Sequence, residues 1–286
     1  MINSKVILGT AQFGMDYGIN NTSGKITKSE AFDILDYAFL NGIKELDTAS
    51  SYGDSEKVIG EYLNNHPRNR FIITTKISDI NASLEKQVNN SIENLKIDKI
   101  DKLLFHSCDL YKHFEKEVKD FHQKFKGELF DELGVSIYTN YEIEDLINDP
   151  LIDRIQSPFN ILDNYNKRGT YFEKLYLNGK KIDVRSVFLQ GVFFKNISNL
   201  PNNLNPLKKH LNLIRELSRE FKIDINSIAF GYLNSFDLID RIIFGVDSLE
   251  QLKKNLECFF IKLPEELFEK INSIEIEEEL LNPSFW

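Results

Sequence analysis

Short apolar runs recur eight times along this sequence, and that repetition limits the folds open to it. The runs are VILGT, IKELDT, FIITTKI, DKLLFH, LGVSIY, DRIQSPF, DVRSVFL and DRIIFGV. They are almost continuously apolar rather than alternating, which is typical of parallel strands covered on both faces. The sequence therefore predicts a parallel β-sheet with eight strands.

Segments with helical spacing lie between most of these runs. The residues of one apolar stripe are Ala31, Ile34, Leu35 and Ala38. Strand and helix alternating in this way form either a closed barrel or an open doubly wound sheet, and eight evenly spaced repeats favour an α/β fold of the (β/α)₈ (TIM) barrel type. No Pro/Gly/Ser-rich linker divides the 286 residues, so we expect a single domain over residues 1–286.

Four stretches depart from the regular alternation. The long loop AQFGMDYGINNTSGK follows the first run and is expected over the barrel mouth. Residues 160–181 begin with NILDNYNKRG, which predicts a break before a short helical piece, and residues 196–206 predict another excursion. The tail IEIEEELLNPSFW has two interpretations: a flap over the pocket, or packing of Phe285 and Trp286 against the barrel wall.

Composition argues against several classes of protein. The formal net charge of −9 disfavours nucleic-acid binding. Cys108 and Cys258 are the only cysteines, too few for a disulfide framework, which favours a reducing compartment. The start MINSKVILGTAQFG lacks a secretory pattern, and no run of about 18 apolar residues follows. We expect a cytoplasmic protein without a nucleic-acid or membrane partner.

Four titratable side chains fall at the carboxyl ends of three consecutive runs, where barrels of this kind carry out chemistry. They are Asp47, Tyr52, Lys76 and His106. Taken singly, each has an ordinary structural explanation, such as a turn cap for Asp47 or a core position for His106. As a set they form a proton-donor system. An Asp and a Lys can pair, the Lys can lower the pKa of a Tyr hydroxyl, and a His can donate a hydrogen bond to a substrate oxygen.

Three segments, LDTASSYGDSEKVIGEYL, ITTKIS and LLFHSCD, resemble the catalytic segments of the aldo/keto reductase superfamily in their order. The resemblance extends from LGTAQFG to SLEQLKKNLECFF. It implies that Tyr52 is the general acid for a carbonyl oxygen and that Lys76, held by Asp47, lowers the pKa of Tyr52. It also implies that His106 orients and polarises the carbonyl, where donors stabilise developing charge.

The resemblance further implies a nicotinamide cofactor, NADPH in preference, with NADH left open. Gln156 of RIQSPFN and Ser136 of GVSIYTN are expected at the carboxamide, with Ile137 where the family usually has Asn. VRSVFLQGVFF is similar to the family's seventh strand, which contributes Arg185 and Ser186 to the cofactor site. Arg185 stands where an aromatic residue commonly stacks on the nicotinamide, so it either stacks there or binds an anionic substrate.

IIFGVDSLEQLKKNLE is similar to the family's last cofactor segment, which holds the adenosine phosphate. The residues that align with it are Gly245, Ser248, Gln251 and Asn255. A helix that begins here also offers unpaired N–H groups to a phosphate. Asp247 is acidic and Gln251 is uncharged where a basic residue often meets the ribose phosphate.

These features predict an NAD(P)H-dependent oxidoreductase that reduces an aldehyde or ketone, with a small sugar or sugar-derived carbonyl as a candidate substrate. Two alternatives stay open: a cofactor-binding regulatory subunit with little turnover, and an isomerase or dismutase that cycles hydride on a bound cofactor. No metal is expected, because the sequence has neither His-Glu-x-x-His nor Cys-x-x-Cys and the other histidines lack ligand spacing.

Overall fold

Eight parallel strands form a closed barrel in the order of the sequence. The computed structural model describes residues 5–286. The strands are β1 (Val6–Gly9), β2 (Glu45–Asp47), β3 (Ile72–Ile77), β4 (Ile100–Phe105), β5 (Phe130–Ser136), β6 (Arg154–Pro158), β7 (Lys181–Arg185) and β8 (Arg241–Gly245). β1 pairs with both β2 and β8, which closes the barrel. Each apolar run overlaps one strand, and the prediction of a single-domain (β/α)₈ barrel is confirmed.

Helices follow the strands around the barrel. Within residues 5–286 they are α1 (Ala11–Gly14), α2 (Lys28–Leu40), α3 (Ser55–Asn65), α4 (Leu84–Leu95), α5 (Cys108–His113), α6 (Glu115–Phe125), α7 (Asn140–Leu146), α8 (Tyr165–Leu177), α9 (Lys208–Phe221), α10 (Ile225–Asn234), α11 (Leu249–Cys258) and α12 (Glu265–Asn272). Their apolar faces are buried, as the fully buried Ile34 and Leu35 of α2 show. α2 begins at a reciprocal capping box between Thr27 and Glu30, which satisfies backbone N–H groups at its first turn.

The prediction for residues 160–181 is wrong in part, because α8 is a regular helix of 13 residues. Its first turn carries Arg168, a polar residue that looked like part of a loop. The Arg168 side chain is 1% exposed and forms an ion pair with Asp163 at 2.8 Å. A charged residue inside the protein is compatible with a helix when its charge is paired, and sequence polarity alone does not reveal the partner.

The other irregular stretches lie where the sequence predicted them. Residues 196–206 form an excursion that contains two short 3₁₀ turns, Ile197–Asn199 and the first part of Asn202–Leu207. The loop after β1 lies over the mouth of the barrel, where Met15 and Tyr17 line its cavity.

Buried ion pairs fill the barrel near the amino-terminal parts of its strands. Lys102 of β4 contacts Glu45 of β2 at 2.5 Å, and Arg154 of β6 contacts Asp183 of β7 at 2.5 Å. Burial raises the pKa of Asp183 to about 6, although Arg154 opposes that shift. These ion pairs lie at the end of the barrel opposite the cavity described below. We therefore assign them a structural role in the barrel interior.

Three further properties concern the part of the chain that the structure describes. No helix there combines the length and the apolar character that crossing a membrane requires. Cys108 and Cys258 are buried as free thiols. Residues 5–286 contain no cluster of three or more His, Cys, Asp or Glu side chains suited to a metal ion. The absence of a bound metal stays a prediction.

Candidate active site

A cavity of about 610 Å³ opens at the carboxyl ends of the strands. It is lined by ten of the twelve predicted site residues: Asp47, Tyr52, His106, Ser136, Gln156, Arg185, Ser186, Gly245, Gln251 and Asn255. Lys76 is buried behind Asp47, and Ser248 lies beside the cavity at the start of α11. The barrel therefore brings residues from six strands to one space, as expected for this architecture.

Asp47 and Lys76 form a buried ion pair at the inner end of this cavity. Lys76 Nζ lies 2.5 Å from Asp47 Oδ1 and donates a second hydrogen bond to the carbonyl oxygen of Thr48 at 2.9 Å. Gln156 Nε2 donates to the other carboxylate oxygen, Oδ2, at 2.7 Å. Burial lowers the pKa of Lys76, and the contact with Asp47 opposes this effect. Both carboxylate oxygens are thus committed to partners that hold Asp47 in place.

Tyr52 lies next to this pair and to His106. Lys76 Nζ is 5.2 Å from the centroid of the Tyr52 ring, and the Tyr52 and His106 rings meet edge to face with centroids 5.7 Å apart. The Tyr52 hydroxyl forms no side-chain hydrogen bond within residues 5–286. Burial, and secondly Asp47, raise the pKa of Tyr52 above its usual value. The hydroxyl is therefore protonated at neutral pH, as a general acid must be.

The predicted effect of Lys76 on the pKa of Tyr52 stays a prediction. The cation that lowers the pKa of Tyr52 here is Arg185, and its effect is smaller than that of burial. The carboxylate of Asp47, which lies 2.5 Å from Lys76 Nζ, itself raises the pKa of Tyr52 and so acts against a positive charge placed there.

Close backbone contact places the Tyr52 segment. A Cβ atom added to Gly14 of α1 would lie 1.7 Å from the carbonyl oxygen of Tyr52. Gly53 has a positive φ of 53°, and a Cβ there would lie 2.3 Å from the carbonyl oxygen of Gly14. Glycine at both positions lets α1 and the turn after β2 approach each other directly, which sets where Tyr52 enters the cavity.

His106 is held through one ring nitrogen. Its Nδ1 lies 3.0 Å from the hydroxyl of Ser51 and 3.3 Å from that of Ser78. Burial, followed by the charges of Lys76 and Arg185, lowers the pKa of His106 to about 3. The ring is therefore neutral at physiological pH, with one donor and one acceptor nitrogen. If Nδ1 accepts from a serine hydroxyl, Nε2 carries the proton and can donate to a ligand in the cavity.

This neutral histidine gives a prediction for pH dependence. Because the pKa of His106 is about 3, we expect kcat/KM for reduction to show no His106 protonation step between pH 5 and pH 8. The folded protein should lose stability as the pH falls below about 6.5, since the unfolded chain then binds a proton that the folded site excludes. Initial rates and urea denaturation across this range test both expectations. A rate inflection near pH 6.5 that vanishes in His106→Gln would contradict this assignment.

Ser136 and Gln156, the residues predicted to contact a carboxamide, both present polar atoms to the cavity. Gln156 uses its Nε2 on Asp47, and its Oε1 has no partner among residues 5–286. Ser136 is buried at the end of β5 and lines the same wall with a hydroxyl that has no side-chain partner there. An acceptor and a hydroxyl are the groups that a carboxamide can satisfy. Ile137 is fully buried and is not among the residues that line the cavity.

The residues predicted to contact the adenosine phosphate lie together in the first turns of α11. The hydroxyl of Ser248 accepts from the backbone N–H of Gln251 at 3.2 Å and caps the helix, whereas Gln251 itself lines the cavity. Asn255 Oδ1 accepts from Asn226 Nδ2 at 2.8 Å, which leaves the Asn255 amide N–H groups for a ligand. Lys254 also lines this part of the cavity, and the sequence analysis missed it.

Gly245 ends β8 under the side chain of Gln12. A Cβ atom at Gly245 would lie 2.6 Å from Gln12 Oε1. Glycine therefore permits the Gln12 amide to lie against the strand end, where both residues line the cavity.

The segment after β7 has an unusual backbone. Ser186, Leu189 and Gln190 have φ values of 64°, 46° and 55°, a region that residues other than glycine seldom adopt. Ser186 and Gln190 line the cavity together with Arg185. Strained conformations of this kind persist where the surrounding structure holds them, and they occur often at binding sites.

The C-terminal tail fits neither interpretation alone. Pro283 and Ser284 line the cavity, as a covering segment would. Trp286 packs against the apolar core, whereas Phe285 is 67% exposed. Wall packing is thus correct for Trp286 and wrong for Phe285, because the short 3₁₀ turn Pro283–Phe285 leaves the Phe285 ring outside the core.

Sequence reasoning missed several other residues of the site. Tyr17 and Tyr138 line the cavity, and burial raises the pKa of Tyr17 to about 12. Tyr138 lies two residues beyond the end of β5, so its position after a strand was an available signal. Ser78 directly follows β3 and had the same signal, but only the folded structure brings its hydroxyl and that of Ser51 to His106.

Known proteins show what this arrangement is similar to. The model of the aldo/keto reductase family matches residues 5–276. D-arabinose 1-dehydrogenase from Saccharomyces cerevisiae is 25% identical over 261 residues, covering 80% of this chain and 76% of that protein. The uncharacterized oxidoreductase YqkF from Bacillus subtilis is 22% identical over 282 residues, covering 88% and 89%.

A solved structure agrees with the fold. The aldo-keto reductase AKR11C1 from Bacillus halodurans, in its holo form, superposes with a TM-score of 0.70 at 18% identity and covers 97% of this chain and 95% of that one. At this identity the likeness concerns the fold, while the family match spans nearly all of the described residues. The chain belongs to the aldo/keto reductase family.

Proposed function

We propose that this protein is an NAD(P)H-dependent oxidoreductase that reduces an aldehyde or ketone to the alcohol. The observation that carries the proposal is a protonated tyrosine, Tyr52, beside a buried Asp47–Lys76 pair and a neutral His106 at the inner end of one cavity. Membership of a family whose members use nicotinamide cofactors on small carbonyl compounds supports it.

In the proposed reaction, Tyr52 and His106 both act on the carbonyl oxygen. A bound nicotinamide supplies the hydride for the carbonyl carbon. Tyr52 donates its proton to the oxygen, which completes the alcohol and leaves a tyrosinate near Lys76 and Arg185. His106 donates a hydrogen bond from Nε2, which orients the carbonyl and stabilises negative charge on its oxygen. Asp47 holds Lys76 in position, and solvent returns the proton to Tyr52.

The residues that line the cavity fit such a cofactor. We assign the carboxamide to Ser136 and Gln156, whose unpartnered oxygens face the cavity, and the strand end at Gly245 and the turn at Ser186 to the cofactor's middle part. We assign the adenosine phosphate to the start of α11, with Gln251, Asn255 and the Ser248 cap. Lys254 supplies a positive charge there, which favours NADPH over NADH.

The substrate class and the location of the protein are each proposed from one observation. One relative is named D-arabinose 1-dehydrogenase, so we propose a sugar or sugar-derived carbonyl as the first substrate class to examine. The two buried free thiols, Cys108 and Cys258, support a cytoplasmic location.

The proposal is tested by following the absorbance of NADPH and NADH with sugar aldehydes, keto-sugars and simple aldehydes. We expect turnover with at least one carbonyl class and a lower KM for NADPH than for NADH. Cofactor binding without turnover on the whole panel would favour a regulatory subunit instead. Cofactor that stays bound through purification would favour a hydride-cycling isomerase or dismutase. Absence of cofactor binding would contradict the proposal.

A further inference from the structure

Arg185 is the cation nearest the reaction centre that has no carboxylate partner. Its Nη2 donates to the carbonyl oxygen of Ile137 at 2.9 Å, and its Nη1 donates to the hydroxyl of Ser186 at 3.3 Å. It forms no ion pair with any carboxylate of residues 5–286. An arginine has five N–H donors, so three of them stay available to a ligand.

The buried lysine and arginine side chains within residues 5–286 all have a carboxylate partner. Each fully buried one contacts a carboxylate: Lys76 with Asp47 at 2.5 Å, Lys102 with Glu45 at 2.5 Å, Arg154 with Asp183 at 2.5 Å and Arg168 with Asp163 at 2.8 Å. This agrees with the general cost of an unpaired charge that is removed from water. Arg185 is half-buried in the cavity wall, and its protein partners are a backbone carbonyl and a serine hydroxyl rather than a carboxylate.

The cavity itself offers no carboxylate to balance Arg185. Asp47 and Asp247 are the acidic residues that line it. Asp47 is committed to Lys76 and Gln156. Asp247 lies at the start of α11, where its carboxylate accepts from the Gln251 amide at 3.3 Å. The inner end of the cavity therefore carries positive charge in a chain whose net charge is −9.

The Arg185 guanidinium is also held in a defined orientation. Its central carbon lies 4.4 Å from the centroid of the Tyr138 ring, so the ring supports the cation. The hydrogen bond to Ile137 fixes one edge, and the following residue, Ser186, has the constrained positive φ described above. Arg185 influences the pKa values of Tyr17, Tyr52 and His106, which places it beside the reacting groups. A side chain held in this way loses little freedom when a ligand binds.

We propose that Arg185 is a specificity-determining residue that binds a carboxylate on the substrate, so that the substrate class is small carbonyl compounds that also carry a carboxylate. The proposal rests on the carbonyl reduction proposed above. A planar carboxylate matches the free edge of a guanidinium and neutralises its single charge, whereas a phosphate dianion would require further donors. The competing role is stacking of Arg185 on the nicotinamide.

The test compares 4-carboxybenzaldehyde with its neutral methyl ester in wild type and in Arg185→Gln. We expect wild type to favour the acid in kcat/KM by about 10- to 100-fold, the range of a charge-assisted hydrogen bond. Arg185→Gln should remove the preference through the KM of the acid, and Arg185→Lys should restore part of it. Lys112→Gln removes a positive charge from the protein surface outside the cavity, and neither the activity nor the acid-to-ester ratio should change in this control.

Binding gives a second measurement that does not depend on turnover. Titration calorimetry of benzoate and uncharged benzamide into the NADPH-loaded protein should show at least tenfold tighter binding of benzoate to wild type and no such difference in Arg185→Gln. Equal binding of the two probes, or tighter binding of inorganic phosphate than of benzoate, would overturn the inference. So would an Arg185→Gln variant that weakens NADPH binding tenfold while its acid-to-ester ratio stays that of wild type. Failure of every carbonyl in the turnover panel would instead count against the proposed function.

Discussion

Tyr52→Phe should lower kcat for carbonyl reduction by about 10²- to 10⁴-fold, the usual contribution of a positioned general acid. The variant removes the hydroxyl that donates the proton and keeps the ring against His106. Because that hydroxyl forms no side-chain hydrogen bond within residues 5–286, its removal leaves no buried partner unsatisfied, and the fold should be unchanged. Cofactor affinity is expected to stay within about threefold of wild type, a change of less than 1 kcal/mol, because the Tyr52 hydroxyl is assigned to the substrate oxygen and not to the cofactor.

The measurement is NADPH oxidation with the best carbonyl found for wild type, together with cofactor binding by fluorescence. Tyr141→Phe provides the matched control, because Tyr141 is 76% exposed on α7 and the substitution makes the same chemical change outside the cavity. Retention of more than a tenth of wild-type kcat in Tyr52→Phe would show that another group protonates the carbonyl.

Lys76→Met should reduce both activity and stability. The substitution leaves the Asp47 carboxylate buried, with the amide of Gln156 as its remaining side-chain donor. Removing one partner of a buried ion pair typically costs about 3–5 kcal/mol in the free energy of unfolding. We also expect kcat to fall by at least about 10²-fold, because the unpaired carboxylate opposes the tyrosinate that forms at Tyr52.

Two variants separate the stability effect from the catalytic effect. The double variant Asp47→Asn/Lys76→Met should recover most of the lost stability, since a neutral pair carries no uncompensated buried charge. Its kcat should stay below that of wild type, because the ammonium group 5.2 Å from the Tyr52 ring is still absent. Lys112→Met breaks an exposed ion pair with Asp145 and should cost no more than about 1 kcal/mol. Urea denaturation measures all three. A Lys76→Met protein as stable as wild type would contradict the role given to the buried pair.

The barrel was predictable because its signal is local. A strand covered on both faces must be apolar at consecutive positions, and eight such runs stand out in this sequence. The error over residues 160–181 had the opposite origin. Arg168 and Asn164 look like loop residues, yet both are buried, Arg168 against Asp163 and Asn164 through hydrogen bonds to the carbonyl oxygens of Ile271 and Ile274. The partners of Asn164 lie more than 100 residues away and leave no local pattern, and the nearby pair Asp163–Arg168 does not show from its polarity alone that it is buried.

The same distinction, between a local sequence signal and contacts that only the fold creates, applies to the candidate site residues. The sequence by itself determined the strand ends, and with them which residues meet: Asp47, Tyr52 and His106 line one cavity because parallel strands in a barrel end on the same side. It also determined that Arg185 ends β7 on that side.

Only the tertiary structure decided how those residues behave. Burial sets the protonation of Tyr52 and His106, and the fold pairs Lys76 with Asp47 beside Tyr52. The same packing leaves Arg185 without a carboxylate. These properties depend on distances of a few ångströms between segments far apart in the chain, since electrostatic energies depend on separation and burial. Sequence spacing does not contain those distances.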